Sequence, residues 1–154
     1  MMRIAQCPIA NTLDLVGDRW TLLIVRDLLR GRARYSDLAQ SVEGIPLSIL
    51  AGRLKMLERE GIVAKRPYSD HPPRADYLLT QKGHELGVVV GALSSWGERY
   101  LEHVRSLVDN ECGHGVKVVY HCEICGRGSP RSRVRIVPAG VSRAISGANG
   151  GGPS

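Results

Sequence analysis

Five residues that bind metals or electrons crowd into one short stretch: Cys112, His114, His121, Cys122 and Cys125. Cys122-x-x-Cys125-Gly126 has the spacing at which one tight turn aims two thiolates at the same side of a tetrahedral ion. Cys112 precedes this turn and His114 follows two residues after Cys112. Between them Val116-Lys117-Val118-Val119-Tyr120 alternates as a strand does, so a small ribbon would carry Cys112 and His114 to the Cys pair. The expected site is one structural Zn²⁺ on Cys112, Cys122 and Cys125, with His114 as fourth ligand and His103 as its competitor. Two other readings stand beside it. The thiols could simply be reduced in an unfolded extension, or the Cys pair could do redox catalysis. The last is disfavoured because no thioredoxin-like strand–helix pattern surrounds it.

The remaining thiol is of another kind. Cys7 stands immediately before Pro8, at a predicted helix N-terminus, where the positive end of the helix dipole favours a thiolate. It is either a reactive sensor cysteine or a buried, inert one. No nucleophile, base and orienting group can be grouped along the chain, so the sequence is not read as an enzyme.

The chain has 154 residues, a net charge of +6 and a pI near 9.5. The positive excess is shared evenly between the residues up to 105 and those after. An anionic partner is therefore expected. No run reaches the roughly 18 apolar residues of a membrane span. Gln6, Asn11 and Asp14 interrupt the start, which rules out a secretory signal there. A cytoplasmic protein is expected, and in that reducing compartment four cysteines point to metal or thiol chemistry rather than disulfides. Phe is absent, leaving Leu, Val and Ile to build the core.

The elements that must position these groups follow from periodicity. Pro8–Val16 has helical spacing with Pro at the first position. A second helix over Arg19–Arg30 carries the stripe Trp20, Leu23, Ile24 and Leu28, with Asp18 as its cap. Arg32–Tyr35 reads as a very short strand, and a short helix opens at Tyr35 or Ser36. Pro46 then begins an amphipathic helix to Glu60 with Leu50, Leu54 and Leu57 on one face. Ile62–Arg66 and Arg74–Leu79 switch to strand period around a Pro67–Pro73 hairpin tip. Thr80 caps a last helix running past Leu86, Val90, Leu93 and Trp96 to about Val104. Gly83, Gly87, Gly91 and Gly97 weaken it by up to ~1 kcal/mol each relative to Ala unless it packs closely on something. Trp20 and Trp96 are expected as core or dimer anchors. The fold class is mainly α with a small β-wing (α+β): a winged helix-turn-helix plus a small C-terminal zinc-ribbon-like extension. Residues 1–105 form the main domain, 106–138 the ribbon, and 139–154, rich in Gly, Ser and Ala, a disordered tail.

Cys7-Pro8-Ile9, Leu13 and Gly17-Asp18-Arg19-Trp20-Thr21 begin an ordered set of matches. It continues through Arg34-Tyr35-Ser36-Asp37-Leu38, Gly44-Ile45, Arg53-Leu54, Leu57-Glu58 and Gly61-Ile62-Val63. It ends with Pro72-Pro73-Arg74, Leu79-Thr80, Gly83 and Trp96-Gly97. Together, over about residues 7–100, they make the chain resemble the HxlR-type winged helix-turn-helix regulators, which are MarR-like. The resemblance implies a sequence-specific transcriptional regulator, repressor or activator. It would be a homodimer joined by its first and last helices, with a recognition helix in the major groove of an inverted-repeat operator and a wing over the backbone. Some such regulators sense oxidants or electrophiles through an N-terminal cysteine, which implies that role for Cys7; a small-molecule effector is the other option. The chain departs from the pattern at Pro46, where Ser or Thr commonly caps the recognition helix. A further reading is an RNA- or protein-binding adaptor using the Cys-rich ribbon with Arg131, Arg133 and Arg135.

On the recognition helix the positions opposite the Leu stripe are Leu47, Ser48, Ala51 and Gly52. They are small or apolar, so Ser48 can pair with any base, and Leu47 or Ala51 can meet a thymine methyl. None forks onto guanine or adenine, and DNA shape must supply further specificity. Arg53 and Lys55 flank this face and suit phosphates. Tyr35 and Ser36 bring a helix start to the backbone. His71 and Arg74 are the wing candidates, with Lys65 and Arg66 on the adjoining strand.

Overall fold

The computed structural model describes residues 7–101, 107–109, 111–129 and 134. Contacts divide the chain into two units, Met1–Leu107 and Val108–Ser154.

In the first unit the order is α1 (Pro8–Val16), α2 (Thr21–Leu29), α3 (Tyr35–Ser41), α4 (Leu47–Arg59), β1 (Val63–Asp70), β2 (Pro73–Leu79) and α5 (Gln81–Tyr100). This is a helix-turn-helix, α3 and α4, followed by a two-stranded antiparallel wing. Its core is aliphatic, as a chain without Phe requires. Ile24, Leu38, Val42, Leu50, Leu54, Leu57, Ile62 and Val63 are buried together. Three of these are the α4 stripe, so the helix turns one face inward and is free to present the other.

Asp18 begins α2 as a cap does. Its carboxylate accepts the amides of Trp20 at 2.9 Å and Thr21 at 3.2 Å, and also the Thr21 hydroxyl. Asp27, on the same helix, is buried yet ionic. Arg26 donates to both of its oxygens at 2.7 and 3.0 Å, and Arg30 lies 3.5 Å away. Burial raises the Asp27 pKa, but the Arg26 hydrogen bonds and the two cations outweigh it and hold the carboxyl below its ordinary value.

The short strand at Arg32–Tyr35 is reduced to a single bridge, Arg34 to Asp76, with the Tyr77 amide donating to the Ala33 carbonyl at 2.7 Å. Pro46 sits just outside α4, with φ −64° and ψ 137°, instead of in its first turn. Its carbonyl accepts the Leu50 amide at 3.0 Å, and no side chain caps the helix. The wing is longer than its sequence indicates. The ladder runs past Pro67 to Asp70↔Pro73, leaving only His71 and Pro72 at the tip, with an irregularity between Pro67 and Ser69. Proline is tolerated because both strands are edge strands, and a missing N–H facing outward breaks no pairing.

α5 packs on α2 and the wing, closely enough that a Cβ at Gly87 would meet the Leu29 methyls at 3.6 Å. Its N-terminus is clasped to the end of α4. The Thr80 hydroxyl donates to the Gly61 carbonyl at 2.6 Å, with the Ile62 carbonyl at 3.2 Å, and accepts the Gly83 amide at 3.2 Å. Lys82 reaches back to the Glu60 carbonyl at 2.7 Å. The helix is described to Tyr100; its expected extension to Val104 lies outside the described residues. No described helix is long and apolar enough to cross a membrane.

In the second unit β3 (Tyr120–Cys122) pairs antiparallel with β4 (Arg127–Ser129), and Val108 bridges Gly115. The expected strand over Val116–Tyr120 is therefore displaced: it starts at Tyr120, and residues 116–119 have no regular structure. Pairing goes to the residues just beyond the Cys turn, the nearest partner in sequence. Residues 139–154, Arg131, Arg133, Arg135 and His103 lie outside the described residues.

Candidate nucleic-acid interface

The buried stripe of α4 leaves Leu47, Ser48, Ala51, Gly52 and Lys55 exposed on one side of the helix. Leu47 is 61% exposed, and a Cβ at Gly52 would meet nothing within 4 Å. The face is low in relief and nearly uncharged, so the helix axis can approach a groove floor closely. Lys55 follows one turn along, where a cation would lie beside a backbone.

Between the start of α3 and the wing lies a cleft of about 450 Å³ lined by Arg34, Tyr35, Ser36, Tyr68, Arg74 and Ala75. It brings Tyr35, Ser36 and Arg74 together, three residues expected at a phosphate backbone. The Tyr35 hydroxyl has a second use: it donates to the Leu47 carbonyl at 2.8 Å and ties the start of α3 to the start of α4. Ser36 stays exposed, 3.4 Å from the Asp37 carboxylate. His71 and Lys65 are exposed on the wing, whereas Arg66 is paired with Asp76 at 3.7 Å.

Arg53 is engaged too. Its Nε lies 3.4 Å from Asp18, joining α4 to the capped start of α2. Burial raises the Asp18 pKa, but the Thr21 hydroxyl, the Trp20 and Thr21 amides and the Arg53 charge together lower it below the ordinary value. Arg53 thus positions the helix pair and has only its remaining donors for a phosphate.

Two cleft residues escaped the sequence reading. Arg34, assigned there to a strand, immediately precedes α3, and its guanidinium lies 5.7 Å over the Tyr68 ring. A cation just ahead of a helix start, with an aromatic in the facing wing, was the available signal.

Elsewhere in the first unit, Cys7 is a free, half-buried thiol directly before α1. Ile9 and Leu13 on α1 and Val88, Leu93, Trp96 and Tyr100 on α5 are exposed apolar residues. Trp20 packs against the core, while Trp96 lies outside it, 5.3 Å from Tyr100.

In the second unit two of the cysteines are neighbours and the third lies beside a carboxylate. Cys122 hydrogen-bonds Cys125 and pulls its thiol below the ordinary range, aided by the Arg127 amide and side chain. The Cys112 thiol hydrogen-bonds the Asp109 carboxylate. His114 is exposed. Among the described residues no three His, Cys, Asp or Glu side chains gather as a metal set.

A family model described as HxlR-like helix-turn-helix matches residues 15–105. The HTH-type transcriptional regulator Rv3095 of Mycobacterium tuberculosis, itself uncharacterised, is 37% identical over 122 residues, covering 77% of each chain. Among solved structures, PA1607, classed with transcription factors, superposes with a TM-score of 0.75 and 31% identity over 88% of this chain and 96% of its own. The redox regulator HypR in its reduced form gives 0.58 and 29%, over 62% and 95%.

Proposed function

Because the chain belongs to the HxlR-like helix-turn-helix family, whose members here are transcriptional regulators, we propose that it binds sequence-specific DNA as a homodimer on an inverted-repeat operator in the cytoplasm. The observation that carries this reading is α4: its Leu50, Leu54 and Leu57 are buried while Leu47, Ser48, Ala51 and Gly52 face outward, beside the Arg34–Arg74 cleft. The outward face reads base edges, and Ser36, Arg74, Lys65, His71 and Lys55 meet phosphates. With little hydrogen-bonding capacity on the reading face, part of the specificity comes from DNA shape. The exposed apolar residues of α1 and α5 supply the dimer contact, leaving two α4 helices about one DNA turn, roughly 34 Å, apart.

Selection of bound sequences from random DNA tests this directly. The expected product is an inverted repeat with half-sites one turn apart, bound by a dimer in light scattering. On the selected site, Arg74→Ala weakens binding to all sequences alike and reduces the salt slope by about 0.9, one phosphate contact. A monomer that enriches single half-sites overturns the reading, as does an Arg74 variant that changes sequence preference at constant affinity.

Thiol switching at Cys7 is a second reading of how binding is controlled. It is favoured by the free thiol at the positive end of α1, and by the similarity to the redox regulator HypR and to YodB, a Bacillus subtilis transcriptional regulator solved reduced and diamide-treated. Diamide should release the protein from its site in a gel shift, and Cys7→Ser should abolish that response. Release that persists in the Ser variant removes the reading.

A further inference from the structure

The second unit contains the same turn twice. In Asp109-x-x-Cys112-Gly113 and Cys122-x-x-Cys125-Gly126 the glycine amide donates to the carbonyl of the first residue, at 2.8 and 2.9 Å. Both glycines adopt left-handed backbone, φ 70° and 62°, which residues with a Cβ rarely adopt. Each turn is closed by a strand pair, Val108↔Gly115 around the first and Cys122↔Arg127 at the second. The first turn also folds amides onto its leading side chain: Asp109 Oδ1 accepts the N–H groups of Glu111 and Cys112, both at 2.9 Å. Amides converging in this way make a concavity for an anionic donor, as around the leading thiolate of a metal-binding knuckle.

Superimposing the repeats pairs Asp109 with Cys122 and Cys112 with Cys125. His114 then pairs with Arg127, one place beyond the turn, where the second repeat has a cation that cannot ligate. We propose that the two turns grip one Zn²⁺ through Asp109, Cys112, Cys122 and Cys125, with Asp109 rather than His114 completing the tetrahedron. Three thiolates and one carboxylate suit Zn²⁺ among the common ions, and binding releases the three thiol protons.

No residue described between 107 and 129 is fully buried, and Val119 and Ile124 are 71% and 76% exposed. These described residues form no core to order them, so metal binding supplies their folding free energy. The turns present their pairs separately in this structure. Closing the site swings one toward the other about residues 116–119, which no ladder holds.

The test uses the full chain purified without added metal, with zinc by elemental analysis and affinity by chelator competition. About one zinc per chain is expected, and Co²⁺ loading should give the intense d–d and thiolate bands of a tetrahedral thiolate site. Asp109→Ala should weaken zinc binding at least about tenfold and His114→Ala less than about twofold. Less than about 0.2 zinc per chain, on protein whose first unit melts normally, overturns the metal site itself. If zinc binds but His114→Ala loses it, or Asp109→Ala keeps wild-type affinity, the site stands and the Asp109 assignment falls.

Discussion

Gly83→Ala unfolds the winged domain at markedly lower urea, with a loss of about 2–3 kcal/mol, the upper part of the range for overpacking. A Cβ at Gly83 would lie 2.2 Å from the Ile62 carbonyl oxygen and 2.9 Å from a Leu79 methyl. The first of these is backbone at the start of the wing, held by Thr80 through two hydrogen bonds, and it cannot swing aside as a side-chain end would. Alanine's better helix propensity returns only part of the loss, up to about 1 kcal/mol. Gly87→Ala is the internal control. Its Cβ would meet Leu29 methyls at 3.6 Å, an ordinary contact, so there the propensity gain prevails and the urea midpoint rises. A Gly83→Ala midpoint equal to that of wild type would show that α5 does not press on the Ile62 carbonyl as described.

Gly52→Glu abolishes operator binding while leaving the fold intact. The position is exposed on α4 and open, with no atom within 4 Å of an added Cβ. Glutamate is a better helix former than glycine, so the melting temperature should hold or rise slightly. The same change places a carboxylate on the face proposed to enter the groove, against the phosphate field, and three residues before Lys55, where it can draw that cation away from a phosphate. A loss of at least about 100-fold is expected near physiological salt. Gel shift against the selected operator measures it, with thermal melting as the control for folding. Wild-type affinity in this variant would mean that another surface reads the DNA.

Much of this architecture is legible in the sequence because its signals are local. The Leu50–Leu54–Leu57 stripe, the turn residues around Gly61 and the strand-period run from Ile62 each depend on neighbours a few residues away. The ordered likeness to one family then fixes how they assemble. What could not be read depends on partners far along the chain. Nothing near Tyr35 announces that its hydroxyl is committed to Leu47, nor near Arg53 that it faces Asp18. The wing ladder passes prolines that, taken alone, mark a loop, because edge strands do not need those amides. Asp109, the fourth ligand proposed above, is hard to read from sequence for a different reason: by residue type, Cys and His stand out first as metal donors. The equivalence of Asp109 to Cys122 emerges only when backbone hydrogen bonds show the two turns to be copies.

The clasp at Thr80 has mechanical meaning for a dimer. One hydroxyl holds the Gly61 and Ile62 carbonyls, in the link between α4 and β1, while capping α5, and Lys82 adds a second tether to Glu60. Helix α4 and the first turn of α5 are therefore two arms of one lever, with its fulcrum at residues 60–62. If α5 supplies the two-fold contact, a small rotation of one α5 against its mate is carried to the far arm as a displacement of α4. The span between the two reading helices, and hence their fit to successive grooves, is then set at the subunit junction. An effector that alters the α5 pairing can retune DNA affinity without touching a DNA-facing atom.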